Sequence, residues 1–221
     1  MARNVKAPLA GWFVCTAGLI FVALVAYGTG SAQRLDAAVL ARFVGEAGPR
    51  ADSLATGLTL LGDLPALLLM GALACGVGWA RGRPRSAMAA LVIVAGANLT
   101  TQALKLALSH PRARELLGAE NTSWDGFPSG HVTAVASVVI AFAFVVPQRL
   151  LPTVAGLGAC LAAAMGWSVL VLNWHYPSDA VGAILVASSW GFAVLASMRF
   201  AAAARPRPPA QLSRRAAISL K

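Results

Sequence analysis

The stretch 127-FPSGHVTAVASVVIAFAFVV-146 changes character in its middle. Five residues that turn or bind are followed by fifteen without a charge. A second stretch, 174-WHYPSD-179, leads in the same way into the apolar run Ala180–Met198. Two of the chain's three histidines, His131 and His175, therefore stand at the mouths of apolar segments, each with a proline nearby. The apolar runs decide the fold, and the residues at their mouths decide the chemistry.

Of the 221 residues, 58% are hydrophobic and 12% charged, and the mean hydropathy of +0.70 lies outside the range of ordinary soluble domains. A membrane-crossing helix needs about 20 mostly apolar residues. Six stretches are read as such helices: Ala10–Tyr27, Leu64–Ala80, Ala87–Leu108, Val132–Val146, Thr153–Leu172 and Ala180–Met198. The connections between them read as short. The expected fold is thus all-α, a six-transmembrane-helix bundle forming one domain over residues 1–200. Residues 201–221, basic and proline-containing, are expected to form a disordered cytoplasmic tail.

Charge tests the topology separately, because cytoplasmic loops collect Lys and Arg. With the N-terminus inside, the cytoplasmic segments hold Arg3, Lys6, Arg81, Arg83, Arg85, Arg149, Arg199 and the five basic residues of the tail, twelve of eighteen in all. All eight acids fall at the other face or at its helix ends. The net charge of +10 is spread over loops and tail, which points to topology and anionic lipid rather than nucleic acid. Gly30-Ser31-Ala32 offers a signal-peptide cleavage site, but the preceding apolar core is long, and an uncleaved helix is expected. Cys15, Cys75 and Cys160 lie within apolar runs without metal-site spacing and read as packing residues. Asn121-Thr122-Ser123 matches a glycosylation sequon and is read as coincidental.

Ionisable groups at membrane depth are costly and are functional candidates by default. Here Lys105, Arg112, His131, His175 and Asp179 all gather at the face opposite the basic loops. Singly, each has a plain reading: a snorkelling lysine, a solvated loop arginine, a structural histidine. Jointly they suit an anion. Backbone N–H groups at Ser129, Gly130 and His131 would face it at a helix N-terminus, and Gly130 would let it come close. Asp179, four residues after His175, is placed to fix one imidazole tautomer and leave the other nitrogen as a nucleophile. These groups match the needs of phosphoryl transfer without a metal or cofactor, where positioning and charge neutralisation do most of the work.

These residues resemble the three motif blocks of the type 2 phosphatidic acid phosphatase superfamily. Its pattern is K-x6-R-P, then P-S-G-H, then S-R-x5-H-x3-D. Lys105 and Arg112 keep the first spacing, Pro128-Ser129-Gly130-His131 matches the second, and His175 with Asp179 keeps the third. The resemblance implies a membrane-integral lipid phosphatase in a bacterial plasma membrane, with its active site at the extracytoplasmic ends of the helices. His175 would attack phosphorus to give a phosphohistidine, oriented by Asp179, and His131 would protonate the leaving oxygen. Lys105, Arg112, Ser129 and Gly130 would hold the phosphate of a polyprenyl diphosphate, phosphatidate or phosphatidylglycerophosphate.

Two positions depart from the pattern. Ala113 replaces the proline after Arg112, and Val169 stands where the third block has a phosphate-binding arginine. Losing a guanidinium removes a two-pronged contact to phosphoryl oxygens. Arg114 or His110 is the candidate replacement; without one, the chain would be a slow relative or a non-catalytic lipid-phosphate binding or carrier protein. An esterase using Ser129, His175 and Asp179 lacks the nucleophile elbow, and a zinc site from His110, His131, His175 and Asp179 lacks ligand pairing of a recognised kind.

Overall fold

The computed structural model describes residues 4–45, 47–108 and 126–204, and every regular element among them is a helix. The order is α1 (Lys6–Gly28), α2 (Gly30–Gly45) and α3 (Pro49–Thr59), then a 3-10 turn (Leu60–Gly62) into α4 (Leu64–Ala80) and α5 (Pro84–Ala107). After residue 126 come α6 (Gly130–Val145), a 3-10 turn (Gln148–Leu150), α7 (Leu151–Val171) and α8 (Pro177–Ala203). Arg112, Arg114 and His110 lie outside the described residues, as does the tail from residue 205.

Each of the six apolar stretches falls on a helix. Four helical segments, α1, α5, Gln148–Val171 and α8, are long and apolar enough to cross a membrane, and Pro49–Gly62 with α4 forms a fifth candidate bent by 51°. The sixth helix, α6, has 16 residues. At about 1.5 Å per residue it spans about 24 Å, short of a hydrocarbon core of about 30 Å. Large apolar side chains such as Phe13, Phe21, Leu24, Leu69, Leu157 and Phe200 face outward. Such a surface suits lipid rather than water, and the chain is an integral membrane protein.

The connection between the first two apolar stretches, expected to be short, is long. It folds into α2 and α3, whose mixed sequences gave no strong apolar signal. Both helices pack on α7, and α2 also reaches α1 and α8.

At the centre stands α6, in contact with α4, α5, α7 and α8. Its buried residues are small or β-branched, among them Val132, Ala134, Val135, Ala136 and Ala141. Small residues let membrane helices approach, and polar side chains then join them. Thr101 bonds Thr133 across α5 and α6 at 3.0 Å, Asn98 bonds Ser137 at 3.1 Å, and Thr16 bonds Ser189 across α1 and α8 at 2.8 Å. Being central, α6 carries its N-terminus to the middle of one end of the bundle, beside the last turn of α5 and the first turn of α8.

Candidate active site

Three chain segments meet at the N-terminus of α6. Ser129 is its N-cap, but its hydroxyl caps nothing. Ser129 is fully buried and, among the described residues, its Oγ has no hydrogen-bond partner. A buried hydroxyl without a partner is uncommon and asks for an explanation; a bound oxyanion supplies one. The Ser129 N–H, by contrast, is occupied, donating to the carbonyl of Asp179 at 3.1 Å. Of the three backbone donors expected to face an anion, those of Gly130 and His131 therefore remain, in the first turn where no intrahelical acceptor exists. Pro128 precedes the N-cap, whereas Pro177 occupies the first turn of α8.

Lys105, in the last turn of α5, reaches this cradle. A methyl group added to Gly130 would lie 3.9 Å from Lys105 Nζ. The ammonium thus stands beside Gly130 at the helix start.

Following α7, the chain reverses through Asn173 in the left-handed region, at φ 57°, a conformation asparagine tolerates better than most residues. The Trp174 and His175 N–H groups both donate back to the Val169 carbonyl, at 2.9 and 3.3 Å. This turn presents the His175 ring to the start of α8. Its Nδ1 lies 3.3 Å from Asp179 Oδ2, and both side chains are buried, 9% and 1% exposed. The same Oδ2 accepts the Tyr176 N–H at 2.9 Å. With Nδ1 donating to a carboxylate so held, Nε2 is the nitrogen that carries a lone pair.

His131 is more open. Its Nε2 lies 3.2 Å from Asp63 Oδ1, the two side chains being 27% and 48% exposed. Asp63 is the N-cap residue of α4, at the bend after the 3-10 turn. Gly62 presses against the same histidine, where an added methyl would lie 2.8 Å from its Cβ and Cδ2. The Trp174 ring flanks it at 5.4 Å between centroids.

The described candidates, Lys105, Ser129, Gly130, His131, His175 and Asp179, thus share one end of the bundle. Three contributors were not singled out from the sequence. Asp63 counted only as one outer-face acid, although its place before Leu64-Pro65 is a helix-start signal. Gly62 has no local signal. Asp36 of α2 accepts both the backbone N–H of Ser178, at 3.2 Å, and its hydroxyl, clasping α2 to the start of α8. Val169 has no exposed surface and packs with Val132, Val135, Met165 and Ala183. The position where the motif pattern has an arginine is here part of an apolar cluster, and its backbone carbonyl accepts the His175 N–H.

Comparison with known proteins extends this geometry. The family described as PAP2 superfamily matches residues 86–203, just over half of the 221-residue chain. Among solved structures, the first transmembrane PAP2 type phosphatidylglycerolphosphate phosphatase from Bacillus subtilis aligns with a TM-score of 0.72. The alignment has 21% identity and covers 89% of this chain and 98% of that one. At that identity the likeness is one of fold. No curated protein sequence matches the chain.

Proposed function

Because the chain belongs to the PAP2 superfamily, we propose that it is a membrane phosphatase that hydrolyses a lipid phosphate or diphosphate through a phosphohistidine intermediate. The observation that carries this reading is the buried His175–Asp179 pair beside an unpartnered Ser129 hydroxyl and the Lys105 ammonium. His175 Nε2 attacks phosphorus as the bond to the leaving oxygen breaks. His131 gives that oxygen its proton. A water molecule, deprotonated by His131, then attacks the phosphohistidine, breaks the N–P bond and releases inorganic phosphate. Lys105, Ser129 Oγ and the N–H groups of Gly130 and His131 hold the equatorial oxygens, with Arg112 and Arg114 from the loop completing the charge. No metal or cofactor is required by these steps, since charge neutralisation comes from side chains and a helix N-terminus.

The topology that accompanies this reading has six crossings, with α6 as a short sixth that the bilayer meets by local thinning. The site opens on the extracytoplasmic side of a bacterial plasma membrane, because the opposite end of α5 and α8 carries Arg81, Arg83, Arg85 and Arg199. Candidate substrates are polyprenyl diphosphate, phosphatidate and phosphatidylglycerophosphate.

One observation favours a second reading, a lipid-phosphate binder without efficient turnover: Val169 adds packing where the motif has a charged fork. Purified protein presented with a panel of lipid phosphates in detergent separates the two. Phosphate release that disappears in His175→Ala supports the phosphatase. Binding of the same lipids without release above that control supports the binder.

A further inference from the structure

α5 and α8 pack together around Ala97, Thr100, Val186 and Trp190. At Gly96 an added methyl would lie 2.7 Å from the Trp190 ring, so the contact depends on the glycine. Beyond it, both helices run to the end of the bundle opposite His175, α5 back to Pro84 and α8 on to Ala203. A cleft of about 1080 Å³ opens there. Its α5 wall is a single helix face, with Arg85, Met88 and Val92 at spacings of three and four. The α8 wall repeats in the same way at Trp190, Val194 and Ser197. From Trp190 to Arg199 the wall is about 13 Å deep, at about 1.5 Å per residue.

The floor is apolar and the rim is cationic. Arg83, Arg85 and Arg199 all line the cleft. Arg199 is held there by its Nη1 donating to the Asn4 carbonyl at 2.8 Å. The N-terminus of α5, at Pro84, adds the positive end of a 24-residue helix. No described lining residue is acidic. The positive-inside rule asks only for basic residues somewhere in the loops. It does not ask for three to converge on one apolar cleft with no carboxylate beside them.

We propose that this cleft binds an anionic phospholipid of the surrounding bilayer. The guanidinium groups of Arg83, Arg85 and Arg199 hold its phosphate, and an acyl chain lies along Met88, Val92 and Val194 toward Trp190. Charge complementarity selects this occupant. The chain's own C-terminal stretch does not complement the rim, because it carries Arg205, Arg207, Arg214, Arg215 and Lys221 and no acid. The site lies at the other end of the bundle from His175, so it stands whether or not the chain is a phosphatase.

The test uses the purified full chain in a neutral detergent, titrated with phosphatidylglycerol, with phosphatidylcholine of the same acyl chains, and with inorganic phosphate. Melting temperature and lipid retention in native mass spectrometry are read for wild type, His175→Ala and Arg83→Gln/Arg85→Gln/Arg199→Gln. Phosphatidylglycerol is expected to raise the Tm of wild type and His175→Ala alike while phosphatidylcholine leaves it unchanged, and any shift from phosphate, which the catalytic site also takes, is expected to persist in the arginine variants. The triple variant is expected to retain at least about tenfold less phosphatidylglycerol, as befits lost charge-assisted contacts. Should its lipid-free melting differ from wild type, Arg85→Gln alone, at an exposed residue, carries the test with a smaller loss of retention. Equal stabilisation by phosphatidylcholine overturns the proposal, as does a phosphate shift that the arginine variants lose, because an ion alone then fills the cleft. Undiminished retention in the arginine variants overturns it too, because the lipid is then held elsewhere.

Discussion

The two histidines at the site each face one aspartate at nearly one distance, 3.3 Å for His175–Asp179 and 3.2 Å for His131–Asp63, in very different surroundings. The first pair is buried and local, four residues apart at the start of α8, with the carboxylate fixed further by the Tyr176 N–H. The second joins residues 68 apart in sequence, and about half of the Asp63 side chain is open to solvent. A buried pair loses several kcal/mol when one partner is removed, because the other charge or dipole is stranded. An exposed pair is worth only about 0–1 kcal/mol. The contrast suits the proposed division of labour. A nucleophile gains from a fixed tautomer, whereas a group that gives and takes a proton in each turnover gains from contact with water.

The largest effect expected from breaking this contrast is at the buried pair. Asp179→Asn keeps the shape but removes the charge that holds the His175 Nδ1 proton. With the His175 tautomer no longer fixed, a loss of about 10³- to 10⁴-fold in rate is expected. Initial rates of phosphate release from the best lipid substrate measure it. A loss below about tenfold would show that the two pairs do not differ as their burial implies, and that His175 is held by something else.

How much of this was legible in the sequence follows the same division. His175 stands four residues before Asp179 at the mouth of α8, so their contact could be read from spacing, and the Pro-Ser-Gly-His run marked a helix start by itself. The apolar stretches, fifteen to twenty-two residues long, each fell on a helix, because long apolar runs have few other uses. Asp63 and Gly62 were not legible, since their partner His131 lies far along the chain and is met only when the bend before α4 folds onto α6. The helices α2 and α3 carry mixed surfaces, being packed on one side only, and so escaped a hydropathy reading. Val169 was visible as a departure from the motif. Its burial among Val132, Met165 and Ala183 depends on how three helices pack, which spacing does not encode.

An intermediate effect is expected at Gly62, which touches His131 and leaves the buried pair alone. An added methyl would lie 2.8 Å from the histidine's Cβ and Cδ2, closer than van der Waals contact allows, so either the ring or the 3-10 turn must move. General acid catalysis contributes about 10²- to 10⁴-fold, and a displaced acid keeps part of it. Gly62→Ala is therefore expected to lower phosphate release by about ten- to a hundredfold, with unchanged formation of a phosphohistidine from a substrate whose leaving group needs no proton. Trapping that intermediate by acid quench checks the split. Loss of the intermediate as well would mean that the strain reaches His175, and that the two pairs are one unit.

The smallest effect belongs to Asp63 itself, and it tests the comparison most finely. Asp63→Asn leaves the side chain in place and removes one exposed charge from His131 Nε2, so a loss of about two- to fivefold is expected. The loss should depend on the leaving group. A lipid alkoxide needs its proton in the transition state, while an acidic phenol departs without one. If Asp63 acts by orienting the proton-donating ring, Asp63→Asn slows an alkyl phosphate and spares an aryl phosphate, and Asp63→Glu recovers part of the alkyl rate. If the Asp63 contact instead merely ties the α4 bend to α6, both substrates slow equally and Asp63→Glu gives no selective recovery. In the first outcome the exposed pair is a weak chemical copy of the buried one. In the second, His131 has no working carboxylate partner, and only the His175–Asp179 pair serves the chemistry.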